Sequence, residues 1–166
     1  ISPIVTYDPL DGSSIVDTNF TVGTFIQFGQ IHNKTNGEKL SHQKNALITL
    51  YGPRTTALFY NSVLDKVQEL TLIDNKWILS HEHLTIKPKT KLFSPGNLRS
   101  VKIINVQKNN YLRLEGGYTL RYSGGFAPDA AQILIKGHGV FSCLASKIHK
   151  AKLRVLFEVA AIGFLI

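Results

Sequence analysis

The chain has 166 residues, of which 43% are hydrophobic, 18% charged and 10% aromatic, which is enough to close a core in one domain and excludes a disordered or fibrous protein. The formal net charge of +8 favours an anionic partner, phosphate above all; because the basic residues are scattered and no zinc-finger, RNP-type or basic-zipper pattern occurs, a nucleic-acid partner is not expected. No membrane partner is expected either, since the closing apolar run, Val159 to Ile166, is far shorter than the roughly 20 residues of a spanning helix. The single cysteine, Cys143, excludes an internal disulfide and suits a reducing compartment.

Ile4, Val5 and Tyr7 predict a strand that stops at Asp8-Pro9 and enters a tight polar loop, Asp11-Gly12-Ser13-Ser14. Phe20 to Phe25 reads as a strand and residues 29 to 45 as a polar surface loop. Ala46 to Tyr51 is ambiguous, Gly52-Pro53 breaks the chain, and Thr55 to Tyr60 is strand-like. Val67 to Ile73 and Trp77 to Leu84 flank Asp74-Asn75-Lys76, as in an antiparallel hairpin. Pro95-Gly96-Asn97 marks a loop. A helix is predicted from Pro128-Asp129 to Gly137 or Gly139, and a strand over Val140 to Leu144. Leu153, Leu156, Phe157 and Ala160 form one face of a last helix, with Arg154 and Glu158 four apart on another. The irregular mixture of strands and helices gives an α/β or α+β layered fold.

The chemistry concentrates in Asp8-Pro9-Leu10-Asp11-Gly12-Ser13-Ser14. Two carboxylates three apart on a rigid loop can share a hard divalent cation, with the Leu10 carbonyl as a third oxygen ligand. Gly12, Ser13 and Ser14 offer backbone N–H groups and hydroxyls beside it, which suits a phosphate. The same residues could simply form a turn and a helix cap. Arg154 and Glu158 could be an exposed ion pair, Lys152 a solvated charge and Tyr122 a packed aromatic. His81 and His83 share a strand face, which a surface hairpin explains better than a metal site because no third ligand is near in sequence.

The run from Asp8 to Thr24 resembles the signature of the fructose-1,6-bisphosphatase and sedoheptulose-1,7-bisphosphatase family. Tyr51 to Thr56, Leu92 to Asn97, Tyr118 to Gly125 and Lys152 to Glu158 follow in that family's order. Tyr118-Thr119-Leu120-Arg121-Tyr122 and Phe93-Ser94-Pro95-Gly96-Asn97 look closer to its sedoheptulose branch. The resemblance implies a fold of stacked sheets and helices and a phosphoric monoester hydrolase that uses Mg²⁺, with Mn²⁺ as alternative. Its implied metal ligands are Asp8, Asp11, the Leu10 carbonyl and Glu158. Gly12, Ser13 and Ser14 would hold the reacting phosphate, with Arg154 beside it, so that Asp8, Asp11 and Arg154 are the implied catalytic residues. Asn97, Tyr122 and Lys152 match positions that contact the other phosphate, and Arg121 one that reaches into a neighbouring subunit's site.

The resemblance further implies removal of the 1-phosphate from sedoheptulose-1,7-bisphosphate, with fructose-1,6-bisphosphate as second substrate, by a homodimer or homotetramer of the plastid stroma or cytoplasm. Residues 1–166 are expected to form one sugar-bisphosphatase-like region, lacking the family's N-terminal segment, which brings an acidic loop and water-activating residues, and its C-terminal end. A fructose-1,6-bisphosphatase, or a non-catalytic phosphate-binding homologue, is the alternative. Phe126-Ala127 differs beside the sugar pocket, and Ser142 stands where fructose bisphosphatases generally have a phosphate-contacting Tyr. Both leave sugar preference open. The paired cysteines of light-linked plastid relatives have no counterpart here.

Overall fold

The computed structural model describes residues 2–31, 43–98 and 116–166. Its first half is an antiparallel meander in which β1 (Ser2–Asp11), β2 (Val22–Ile31), β3 (Gln43–Tyr51), β4 (Thr55–Asn61), β5 (Lys66–Ile73) and β6 (Lys76–Leu84) lie in sequence order. A second, parallel sheet has the order β8-β7-β9, formed by β7 (Leu92–Gly96), β8 (Thr119–Leu120) and β9 (Val140–Cys143). Helix α1 (Phe126–Lys136) connects β8 to β9. A π-turn (Val155–Val159) leads into the short helix α2 (Ala160–Leu165).

The side-chain alternation of β3 explains the layering. Ala46, Ile48 and Leu50 are buried, as are Phe25 of β2 and Leu58 of β4, and this face packs against Ala127, Ala131 and Leu134 of α1 and Ala161 and Leu165 of α2. Phe126 closes the layer between Phe25 and Phe141, with ring centroids 5.6 and 4.7 Å away. Helix α1 comes very close at Gly23, where a Cβ would meet the Ala127 Cβ at 2.6 Å and the Thr49 carbonyl at 2.7 Å. Glycine is therefore what lets the helix N-terminus sit over the end of β1.

Several elements differ from their sequence reading. The 29–45 loop is shorter than expected, because β2 runs on to Ile31 and β3 already starts at Gln43; residues 32–42 lie outside the described part. The ambiguous stretch at Ala46–Tyr51 is strand, and β2 begins at Val22 rather than Phe20. Pro95 and Gly96, read as a loop, belong to β7. Strand β8 pairs with Leu92 and Phe93, so among the described residues Pro95 has a strand neighbour on one side alone and its missing N–H is tolerated as on an edge. The β5–β6 hairpin is as expected: Asp74 and Asn75 both have positive φ (48° and 59°), the geometry of a two-residue type I′ loop. Helix α1 stops at Gly137, whose φ is +68°. The predicted last helix starts late, since Leu153 and Arg154 precede the π-turn.

Candidate active site

In a regular strand, residues three apart face opposite sides of the sheet. Asp8 and Asp11 escape this because β1 carries an irregularity between them: Asp8 pairs with Phe25 and Asp11 with Gly23, so three steps on β1 oppose two on β2. Both carboxylates therefore leave the sheet on one face. There they meet Glu158 from the π-turn, and the three side chains offer ligand oxygens within 4.8 Å of one another. The turn that brings in Glu158 is tied down by Leu156, whose carbonyl accepts from Gln27 Nε2 at 2.6 Å and from Thr6 Oγ1 at 3.3 Å.

Each acid has protein partners as well. Asp8 Oδ1 accepts from the Leu10 amide at 3.1 Å, Asp11 Oδ2 from the Ala127 amide at 2.5 Å, and Glu158 Oε2 from the Arg154 amide at 2.9 Å. Arg154 Nη1 lies 3.7 Å from Asp8 Oδ2. The exposed Arg154–Glu158 ion pair considered from the sequence thus does not form, because Glu158 turns inward to the Arg154 backbone while the guanidinium reaches Asp8. Burial pushes the carboxyls of Asp11 and Glu158 up from their ordinary values, and the charge of Asp8 pushes both further, against the pull of the amide bonds. Crowded, desolvated carboxylates with one partly exposed arginine nearby leave negative charge to be compensated, and three hard oxygen donors at this spacing suit a divalent cation such as Mg²⁺.

The group opens into a cavity of ≈ 500 Å³ that brings together residues far apart in the chain. Gly12, Ser13 and Ser14 border it beside Asp8, Leu10 and Asp11, while Asn97, Tyr122, Lys152 and Arg154 border the remainder. Asn97 has φ 51°, and its Nδ2 donates to the carbonyls of Leu144 at 2.6 Å and Lys150 at 3.3 Å, so it also fastens the stretch leading to Lys152. Arg121 is not brought to this cavity: Nη1 turns back to the Leu120 carbonyl at 3.1 Å. Ser142, placed by sequence at a phosphate-contacting position, has its Oγ buried, whereas its neighbours Phe141 and Cys143 line the cavity. The alternation of β9 accounts for that correction.

Asp129 and Cys143 also border the cavity and were not given a site role by sequence, while Gly124 and Gly125 close the Tyr118 to Gly125 block along it. A carboxylate in the first turn of a helix reads as an ordinary end signal, which hid Asp129. Away from the cavity, His81 Nδ1 bonds Glu69, and neither His81 nor His83 belongs to a three-ligand group among the described residues.

A largely buried acidic trio beside a glycine-serine loop and a rim of Lys, Arg and Tyr has the chemistry of an α/β protein that suits a cation next to an oxyanion. Residues 86–166 match the family described as fructose-1,6-bisphosphatase, C-terminal domain. Residues 86–166 belong to the C-terminal domain of the fructose-1,6-bisphosphatase family, and along its length the chain is similar to fructose-1,6- and sedoheptulose-1,7-bisphosphatases. It is 44% identical to a chloroplastic sedoheptulose-1,7-bisphosphatase of Triticum aestivum, covering 98% of this chain and 41% of that one. It is 41% identical to a class 1 fructose-1,6-bisphosphatase of Geobacter sulfurreducens, covering 98% and 51% respectively. A crystal structure described as a sedoheptulose-1,7 bisphosphatase of Toxoplasma gondii superposes with a TM-score of 0.86 at 37% identity, covering 99% of this chain and 58% of that one. The chain thus spans about half the length of these relatives. Among the described residues no helix is long and apolar enough to cross a membrane.

Proposed function

We propose that this chain forms the metal- and substrate-binding part of a sugar bisphosphatase acting on the 1-phosphate of sedoheptulose-1,7-bisphosphate, with fructose-1,6-bisphosphate as second substrate. One observation carries the reading: a single cavity joins Asp8, Asp11 and Glu158 to Gly12–Ser14 and to Tyr122 and Lys152. Relatives of similar identity bear both substrate names, so the order of preference rests on the sedoheptulose-like Tyr118–Tyr122 and Phe93–Asn97 blocks.

Asp8, Asp11 and Glu158, with the Leu10 carbonyl, would hold Mg²⁺, or Mn²⁺ in its place. A cation so held lowers the pKa of a water and neutralises phosphoryl charge. The Gly12–Ser14 amides and hydroxyls orient the reacting phosphate, and Arg154 adds positive charge beside it. Lys152 and Tyr122 hold the distal phosphate, with Asn97 fixing the stretch that carries Lys152. Residues 1–166 act as one unit in this reading, in a homodimer or homotetramer where Arg121 serves a neighbouring site, in the plastid stroma or the cytoplasm.

The test is phosphate release from each bisphosphate with Mg²⁺ and with a chelator. Mg²⁺-dependent release supports the reading, and the ratio of the two rates names the preferred sugar. A chain that neither releases phosphate nor binds either bisphosphate refutes it.

A further inference from the structure

The segment Arg121–Gly125 carries Tyr122 and two glycines along the cavity, yet β8 ends at Leu120 and gives it no ladder to lie in. Its backbone is held by separate contacts. The Arg121 amide donates to the Phe93 carbonyl at 2.9 Å, and the Gly125 amide to Ser123 Oγ at 3.2 Å. The Ser123 amide, between them, donates to Asp129 Oδ1 at 2.8 Å. Asp129 is fully buried in the first turn of α1, where Gln132 Nε2 lies 3.4 Å from the same oxygen, and it has no ion-pair partner among the described residues.

A buried carboxylate without a cation is unfavourable, and an apolar side chain of similar size serves packing alone better. What the carboxylate adds is an acceptor for the amides of the neighbouring segment. Burial pushes its carboxyl up, and hydrogen bonds from the Ser123 and Gly124 amides oppose that. The same helix reaches the other half of the site, since the Ala127 amide is bonded to Asp11. Helix α1 therefore spans the gap between the acidic trio and the Tyr122 segment.

We propose that Asp129 is a positioning residue for the distal phosphate: without touching the ligand, it locks the Tyr122–Gly125 segment to helix α1 and so fixes the span between the two phosphate sites. The inference rests on the role given above to Tyr122. It makes Asp129 a determinant of substrate length.

The probes separate the two sites. Fructose 6-phosphate carries only the distal phosphate, and inorganic phosphate with Mg²⁺ reports the site beside Gly12–Ser14. Calorimetric titration compares the unmodified chain with Asp129→Ala, Asp129→Leu and Asp129→Asn. Asp129→Leu fills the volume of the lost carboxylate and serves where the alanine variant does not fold. Removing the acceptor should weaken fructose 6-phosphate about tenfold or more and leave inorganic phosphate within about twofold. Asp129→Asn keeps Oδ1 as the acceptor of the Ser123 amide and should restore binding to within about threefold. Equal losses for both probes, unchanged fructose 6-phosphate binding, or an asparagine variant as weak as leucine would each overturn the proposal. An unmodified chain that binds neither probe would instead refute the reading of the whole site.

Discussion

Replacing Gly23 by alanine tests whether packing at one strand position sets the geometry of the acidic trio. The new Cβ would lie 2.6 Å from the Ala127 Cβ and 2.7 Å from the Thr49 carbonyl, whereas carbon contacts are comfortable only from about 3.5 Å. Helix α1 must therefore lift by about 1 Å. The Asp11–Ala127 hydrogen bond, 2.5 Å long, would stretch to about 3.5 Å, the outer limit of such a bond. Overpacking of this kind costs about 1–3 kcal/mol, which with a urea slope of roughly 1–3 kcal/mol per molar lowers the unfolding midpoint by about 1 M. Urea unfolding and a Mg²⁺ titration read the two effects, and Mg²⁺ affinity should fall several-fold. Gly163→Ala in α2, where nothing lies within 4 Å of the new Cβ, is the control and should be neutral or slightly stabilising. An unchanged midpoint and unchanged Mg²⁺ affinity in Gly23→Ala would refute the argument.

Other expectations follow from the same geometry. Asp11→Asn should reduce Mg²⁺ affinity by more than the roughly 10–100-fold typical of losing a partner behind a metal ligand, and near-normal affinity would remove Asp11 from the metal site. Asp11, Asp129 and Glu158 all have carboxyls raised above their ordinary values of 3.8, 3.8 and 4.5, so the folded chain binds protons more tightly than the unfolded one. Their contribution to stability is fully present below those values and is lost as pH rises through the raised ones; thermal melts without metal should show stability from these groups falling with pH, and Mg²⁺ should flatten the dependence. His81→Ala leaves the buried Glu69, among the described residues, with Arg54 alone, 3.8 Å away, and should destabilise by about 1–3 kcal/mol in chemical unfolding while leaving Mg²⁺ affinity unchanged.

Much of this architecture is legible in the residues. Asp74-Asn75 between two apolar runs specifies its hairpin through turn chemistry, and Gly137 ends α1 by the left-handed conformation it adopts. The ordered motifs from Asp8 to Glu158 also name most of the residues that line the cavity, though not Leu98, Phe126, Asp129, Phe141 or Cys143. What spacing alone could not convey is how they meet. Asp8 and Asp11 share a face only because of a register irregularity that depends on β2. Glu158 turns inward because its turn is anchored by Gln27, more than a hundred residues earlier in the chain. Pro95 looked like a loop residue because its tolerance in β7 follows from the shortness of β8, a property of another strand. Asp129 matters through contacts with Ser123 that no local pattern encodes.

The π-turn at Val155–Val159 sets regularity of the backbone against placement of an acid. The Arg154 carbonyl accepts from the Glu158 amide at 3.1 Å and from the Val159 amide at 3.2 Å, so the first turn accommodates one residue more than an α-helix would. Deleting a residue such as Phe157 would let an ordinary helix run into α2, with better hydrogen bonding, but would rotate Glu158 by about 100° relative to Leu156 and the residues before it. A redesign that selected for thermal stability alone would find such a repair attractive and would pull Glu158 away from Asp8 and Asp11 in making it. The irregular turn is thus a place where tolerance to heat and the gathering of three carboxylates are set against each other within five residues of backbone.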